Sequence, residues 1–182
     1  MLETVLAAVA LALLEWWGSP WSAPVALLLL ILCLPGIWYM RGAAPFITTS
    51  KRTMQAMLTL ANIKHDERVY DLGCGDGRLI FAAAAQGADA IGFEMSMPVY
   101  LLAKSSSLLR RNTSIRYGNL WRQDYRDADV IFCYFLKDTM QDFYKRIWPT
   151  LKPGCRVVSH AFTIDGKEAA ARDGDAVLYV KG

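Results

Sequence analysis

Hydrophobic positions along the chain follow two regimes. From Thr4 to Met40 apolar residues run almost unbroken, in two stretches, TVLAAVALALLEWW and APVALLLLILCLPGIWYM, parted by a Gly-Ser-Pro turn signal. Beyond Ser50 they become periodic. SKRTMQAMLTLANI sets Met54, Met57, Leu58 and Ala61 at helical spacing behind a Ser50 N-cap. RVYDL predicts a short buried strand, GRLIFAAAAQ a helix closed by Gly87, and ADAIGFE the next strand. A helix over Met97 to Arg111 follows, with Pro98 in its first turn. SIRYG and ADVIFCYFL predict strands, and Asp138 to Leu151 a helix. After a Lys-Pro-Gly turn come the strand GCRVVSHAF and, past an Asp-Gly-Asp turn, a last strand AVLYVKG. Strands alternating with helices predict an α/β fold, a doubly wound, mostly parallel sheet with helices on both faces.

Charge separates the two regimes further. Residues 16–40 carry no charge, and every Lys and Arg of the chain lies at Arg41 or beyond. At 1.5 Å per residue each apolar stretch reaches about 21–27 Å, against a hydrocarbon core of about 30 Å. Trp38 and Tyr39 then read as an interfacial aromatic edge ahead of Arg41. The expectation is a hydrophobic membrane anchor at residues 1–41, one or two short helices, followed by a globular domain at 42–182. Glu15 leaves the first stretch either a span or an interfacial helix. The opening Met-Leu-Glu lacks the positive n-region of a signal peptide. Arg41, Lys51 and Arg52 follow the apolar region, which places the domain on the cytoplasmic side.

The four cysteines show neither a CxxC pair nor metal-ligand spacing, and His65 and His160 are isolated. Buried reduced thiols and no metal site are expected.

The chemistry concentrates in VYDLGCGDGRLI, between the first strand and its helix. In an open α/β sheet this turn lies beyond the carboxyl ends of the strands, where nucleotides bind. Gly73, Gly75 and Gly77 allow close approach, but Asp71 at the strand end and Asp76 in the loop repel phosphate. A dinucleotide, which rests its pyrophosphate on bare N–H groups, is disfavoured. S-adenosylmethionine has no phosphate and carries an ammonium and a sulfonium. Asp71 suits the ammonium, and glycine N–H groups suit the carboxylate. Glu94, ending the second strand, is placed to accept ribose hydroxyls.

VYDLGCGDGRLI, AIGFE and LKPGCRVVS resemble the motifs of class I S-adenosylmethionine-dependent methyltransferases over about residues 45–160. APFITTSKRTMQAML, NLW and LKPGCRVVSHAF narrow the likeness to the membrane-associated protein-lysine methyltransferases. Those enzymes modify the adenine nucleotide translocase and the ATP synthase c-subunit, have bacterial relatives, and carry a hydrophobic segment before the catalytic domain. The resemblance implies a Rossmann-like methyltransferase sheet and S-adenosyl-L-methionine as cofactor. It also implies a membrane-protein substrate, membrane association through residues 1–40, and a bacterial-type inner membrane. The implied cofactor-binding set is Asp71, Gly73, Cys74, Gly75, Gly77, Glu94, Asn119 and Leu120. Two positions depart from the family: Thr48 stands where a proline is usual, and Asn119 where an aspartate precedes Leu-Trp.

Methyl transfer to an amine needs alignment and desolvation more than an acid or base. Aromatic faces suit an amine and its methylated products. Tyr134 and Phe46 are the candidates for the lysine pocket, with Phe135 and Trp121 beside them; ordinary core packing is the alternative for each. No [Asn/Asp]-Pro-Pro-[Tyr/Phe] motif follows the fourth strand, which reads CYFL, so a planar amide or adenine target is disfavoured. Arg110, Arg111, Arg116, Arg122 and Arg126 read as a solvated face or one set against anionic headgroups, with no nucleic-acid partner expected. Two other functions fit the same residues: methylation of a lipid or lipophilic small molecule, and a non-catalytic cofactor-binding module at a membrane.

Overall fold

The structure is a computed structural model and describes residues 23–28 and 49–182. The expected anchor at 1–41 lies mostly outside these residues; within it, 23–28 are helical. Among the described residues no helix is long and apolar enough to cross a membrane. Phe46 also lies outside the described residues.

Helix α1 (Lys51–Ala61) begins where the Ser50 hydroxyl accepts the Thr53 N–H and ends at left-handed Asn62. Its apolar stripe buries Met57, Leu58 and Ala61. There follow β1 (Arg68–Leu72), α2 (Arg78–Ala85), β2 (Asp89–Glu94), α3 (Met97–Ser107), β3 (Thr113–Tyr117) and β4 (Val130–Cys133). Next come α4 (Lys137–Arg146), β5 (Arg156–His160), β6 (Ala171–Asp173) and β7 (Ala176–Val180). Single 3-10 turns occupy Leu120–Arg122 and Trp148–Thr150.

The sheet order is β3-β2-β1-β4-β5-β7-β6. The first five strands run parallel, while β7 pairs antiparallel with both β5 and β6. This is the open, mostly parallel sheet that the sequence predicts, and its order reverses between β1 and β4, so a crevice opens beyond their carboxyl ends. Strand alternation divides the core into two clusters. Tyr70, Leu72, Ile131, Cys133 and Val157 join Met140 and Phe143 of α4. Val69, Val130, Phe132 and Val158 join Met57 and Leu58 of α1 and Ile80 of α2.

Four boundaries differ from the sequence expectations. The strand at ADVIFCYFL is only Val130–Cys133, and Tyr134 to Leu136 already leave the sheet. The helix expected to Leu151 stops at Arg146, because Pro149 has no N–H for another turn, and a 3-10 turn takes over. The helix expected to Arg111 ends at Ser107, ahead of left-handed Asn112. Finally, the Asp-Gly-Asp turn joins a hairpin whose first strand, β6, is too short and polar to show in the pattern.

Candidate cofactor and acceptor site

β1 ends inside the sheet, so Asp71 is carried into the core: it is 5 % exposed, with Phe132 of β4 and Gly92 of β2 as its register neighbours. Burial, and then the nearby charges of Glu94 and Asp76, push its carboxyl up to about 8. No cation pairs with it among the described residues. A buried carboxyl of this kind ionises when a cationic ligand arrives.

The glycine loop turns away from β1 at Gly73, whose φ of +97° only glycine adopts without strain. Its N–H groups are largely engaged within the protein. Gly73 and Cys74 both donate to the Phe93 carbonyl, Gly77 donates to Cys74 O, and Gly75 donates to Glu94 Oε2 (3.1 Å). The loop therefore offers its contour more than these N–H groups, against the expectation that they receive a carboxylate. Cys74 turns its side chain inward beneath β2, where burial pushes the thiol well up and leaves it unreactive. Among the described residues no group of His, Cys, Asp and Glu is arranged to hold a metal.

Glu94 is fixed before any ligand binds. Its Oε1 accepts the N–H groups of Met95 (2.8 Å) and Ser96 (2.7 Å), while Oε2 takes the longer bond from Gly75. A carboxylate has about four lone-pair sites, so one remains for a ribose hydroxyl, and a second opens if Gly75 lets go.

Asp76 plays a different part from the one its sequence position suggests. Arg78 holds both of its oxygens, with Nη2 at 2.6 Å, and this bond keeps the carboxyl below its usual range. Nη1 of the same guanidinium donates to the Thr49 carbonyl, tying the segment before α1 to the loop. Asp76 thus acts as a clamp with its charge compensated. The preference for a cation rests on Asp71 and Glu94.

The Asn119 Oδ1 caps the 3-10 turn by accepting the Trp121 N–H (2.9 Å), and the Leu120 carbonyl accepts the Tyr125 hydroxyl (2.8 Å). Gly118 just before them donates to Glu94 O, which brings this turn beside the end of β2. With Oδ1 committed, Asn119 presents an amide donor where an aspartate would present a second acceptor.

Leu72, Cys133 and Ser159 share one row across β1, β4 and β5. One residue further on stand Gly73, Tyr134 and His160; alternation puts His160 on the Asp71 face of the sheet, and Tyr134, just past the end of β4, packs against it. The two rings meet edge to face, 4.5 Å between centroids. His160 Nδ1 is buried without a hydrogen-bond partner, alone in this among the described side chains. Burial lowers the imidazole pKa against the opposing pull of Asp175, so the ring is neutral at pH 7 and has an acceptor to offer. Ala161 follows at φ +67°, spanned by a hydrogen bond from Phe162 N to His160 O. This tight three-residue turn is strained for alanine and holds the ring where it is.

Phe135 and Trp121 do not join that pair. They stack on each other (6.2 Å) within the opposite cluster, and Arg146 lies over the indole. Sequence reasoning passed over His160 and Arg78. The available signal for His160 was its place as a polar residue ending an apolar strand.

Residues 71–171 match the family described as the ANTKMT methyltransferase domain. A protein-lysine N-methyltransferase of Saccharolobus islandicus is 33 % identical over 67 % of this chain and 79 % of its own length. The adenine nucleotide translocase lysine N-methyltransferase of Mus musculus is 28 % identical over 69 % of this chain. The chain spans 56 % of that relative's length. Among solved structures, an RNA methyltransferase from Salinibacter ruber with bound S-adenosyl-L-homocysteine superposes with a TM-score of 0.67. It is 28 % identical over 73 % of this chain and 91 % of its own.

Proposed function

This chain belongs to the ANTKMT methyltransferase family, and on that premise we propose that it methylates the ε-amine of a lysine in a membrane-associated protein. It is a class I S-adenosylmethionine-dependent methyltransferase. The cofactor supplies an electrophilic methyl group on a sulfonium. Asp71 fits its ammonium, Glu94 its ribose, and the Asn119–Leu120 turn its adenine.

The observation that carries the lysine reading is the Tyr134–His160 pair, two residues beyond Asp71's row on the same face. A lysine reacts only as the neutral amine. A dry aromatic wall disfavours its charged form, and the Tyr134 face suits both amine and methylated product. His160 Nδ1 accepts a hydrogen bond from the amine and so aims the nitrogen lone pair. No residue needs to carry the proton through the reaction; the lysine loses it on entering the pocket. Phe46 is proposed to close the same pocket from the segment that Arg78 tethers through Thr49.

Two further features support a membrane setting. Residues 16–40 are uncharged, and the basic residues begin at Arg41. We assign residues 1–40 to membrane association, with the catalytic domain on the cytoplasmic side.

The test is methyl transfer from radiolabelled S-adenosylmethionine by the full chain into a membrane fraction, followed by separation of protein, lipid and RNA. Label in protein is expected. Label confined to lipid or to nuclease-sensitive material overturns the lysine reading.

A further inference from the structure

Helix α3 packs on β2 and the edge strand β3, yet it buries only Ala103 and Ser107. Its outer side carries Leu101 and Leu102, 53 % and 58 % exposed, and Leu108 and Leu109 just past its end, 74 % and 95 % exposed. Residues seven apart return to the same side of a helix, and Leu108 keeps helical dihedrals, so these leucines continue one stripe. A side chain as apolar as leucine at 95 % exposure, grouped with three others, marks a contact surface.

The surrounding charge says what the surface meets. From Met95 to Gln123 the sequence holds five basic residues and no acidic one: Lys104, Arg110, Arg111, Arg116 and Arg122. The rest of the chain from Arg41 onward is balanced, fifteen basic against fifteen acidic. None of the five forms an ion pair among the described residues, whereas the acids that follow are taken: Asp124 by Arg126, Asp127 by Arg68 and Asp129 by Lys152. Arg110 and Arg111 also border a groove of about 540 Å³ whose other walls are Phe81, Ala82, Ala84 and Ala85 of α2. The Arg110 guanidinium lies over the Phe81 ring, its Cζ 4.5 Å from the centroid.

We propose that the outer face of α3, with the Arg110–Arg111 groove, is a docking surface for an anionic phospholipid bilayer. Exposed leucines enter the acyl boundary, arginines meet the phosphates, and the apolar groove between the arginines and α2 takes a chain. RNA would want exposed aromatic faces for stacking, and the stripe offers leucines. The chain's own leader offers only two carboxylates, Glu3 and Glu15, against the five basic residues of this stretch, where an anionic bilayer offers a continuous array of phosphates. The N-terminus of α3 adjoins Glu94, so a helix lying along the bilayer holds the cofactor site at the level of the interface. The surface is independent of which atom the enzyme methylates.

The experiment uses the full chain carrying Cys33→Ser, with a polarity-sensitive maleimide dye placed by Leu109→Cys. A second protein carries the dye by Asp173→Cys, in the hairpin at the other edge of the sheet. The native thiols Cys74, Cys133 and Cys155 are buried and do not label. Vesicles of phosphatidylcholine alone are compared with vesicles that also contain phosphatidylglycerol. The dye at 109 should shift to the blue with anionic vesicles only, and the dye at 173 should not shift. Arg110→Ser with Arg111→Ser should weaken the response about 10- to 30-fold, from about 1 kcal/mol per arginine at such a surface. Unchanged cofactor affinity and melting temperature show that these variants remain folded. The proposal is overturned if the 109 dye stays in water while the protein sediments with vesicles, or responds equally to neutral ones. It is also overturned if the dye is buried before vesicles are added, which assigns the stripe to the leader or a second copy. A shift caused by an oligoribonucleotide and not by vesicles assigns it to RNA.

Discussion

Asp71 and His160 are both groups whose charge the fold suppresses, and each yields a distinct measurement. Asp71 has its carboxyl raised from 3.8 to about 8 in the folded chain. The native state therefore binds more protons than the unfolded state between these values, and stability without cofactor falls as pH rises through that window. Asp71→Asn removes the slope: its melting temperature should rise relative to the parent protein from pH 4 to 8, and then hold. The same variant should lose cofactor binding in calorimetry, because the amide cannot neutralise an ammonium. Equal pH slopes for the two proteins would show that Asp71 does not titrate as described. At His160, replacement by Ala should lower kcat by about 100-fold with cofactor affinity unchanged. Asn places an oxygen near the Nδ1 position and should recover part of the rate. A loss expressed only in cofactor affinity would remove His160 from the acceptor side. Asp71 was legible in the sequence because it ends an apolar strand ahead of a glycine turn. The Tyr134–His160 pair was not, since only the register of β4 on β5 brings the two rings together.

Among the elements, those whose limits are local signals read directly: α1 from its Ser50 cap and apolar stripe, β1 and β2 from their apolar runs. Elements whose limits depend on partners did not. Strand β6 exists because β7 pairs with it, and β4 ends where the sheet does, though the apolar run continues. A tight element contact that bears on the site lies between β2 and the glycine loop. A Cβ on Gly92 would lie 2.6 Å from Cys74 Sγ and 2.7 Å from Cys74 Cβ. Gly92→Ala should therefore cost about 1–3 kcal/mol in chemical denaturation and weaken cofactor binding by displacing the loop. Cys74→Ala keeps the offending Cβ and should not rescue it, whereas Cys74→Gly should. Full rescue by Cys74→Ala would mean that the sulfur alone makes the contact.

At the scale of the whole molecule, the parallel strands bring Asp71, Glu94, Tyr134 and His160 to one end of the sheet. The acids proposed to hold the cation lie at the ends of β1 and β2, and the proposed acceptor pair at the ends of β4 and β5. The alternation of strands and helices in the sequence predicts that arrangement. The division of charge is equally visible there, but its meaning waited for the structure: one acid-free stretch holds the excess positive charge beside an exposed leucine stripe. What unites these features in the proposed reaction is a methyl donor held by buried Asp71 and half-buried Glu94 and an amine aimed by the His160 imidazole. The most direct test is the chemical identity of the methylated atom. Labelled protein from the membrane fraction, hydrolysed to amino acids, should release its label as N-methylated lysine, and none should form with Asp71→Asn. Label on another amino acid, or unchanged labelling by Asp71→Asn, would contradict the account.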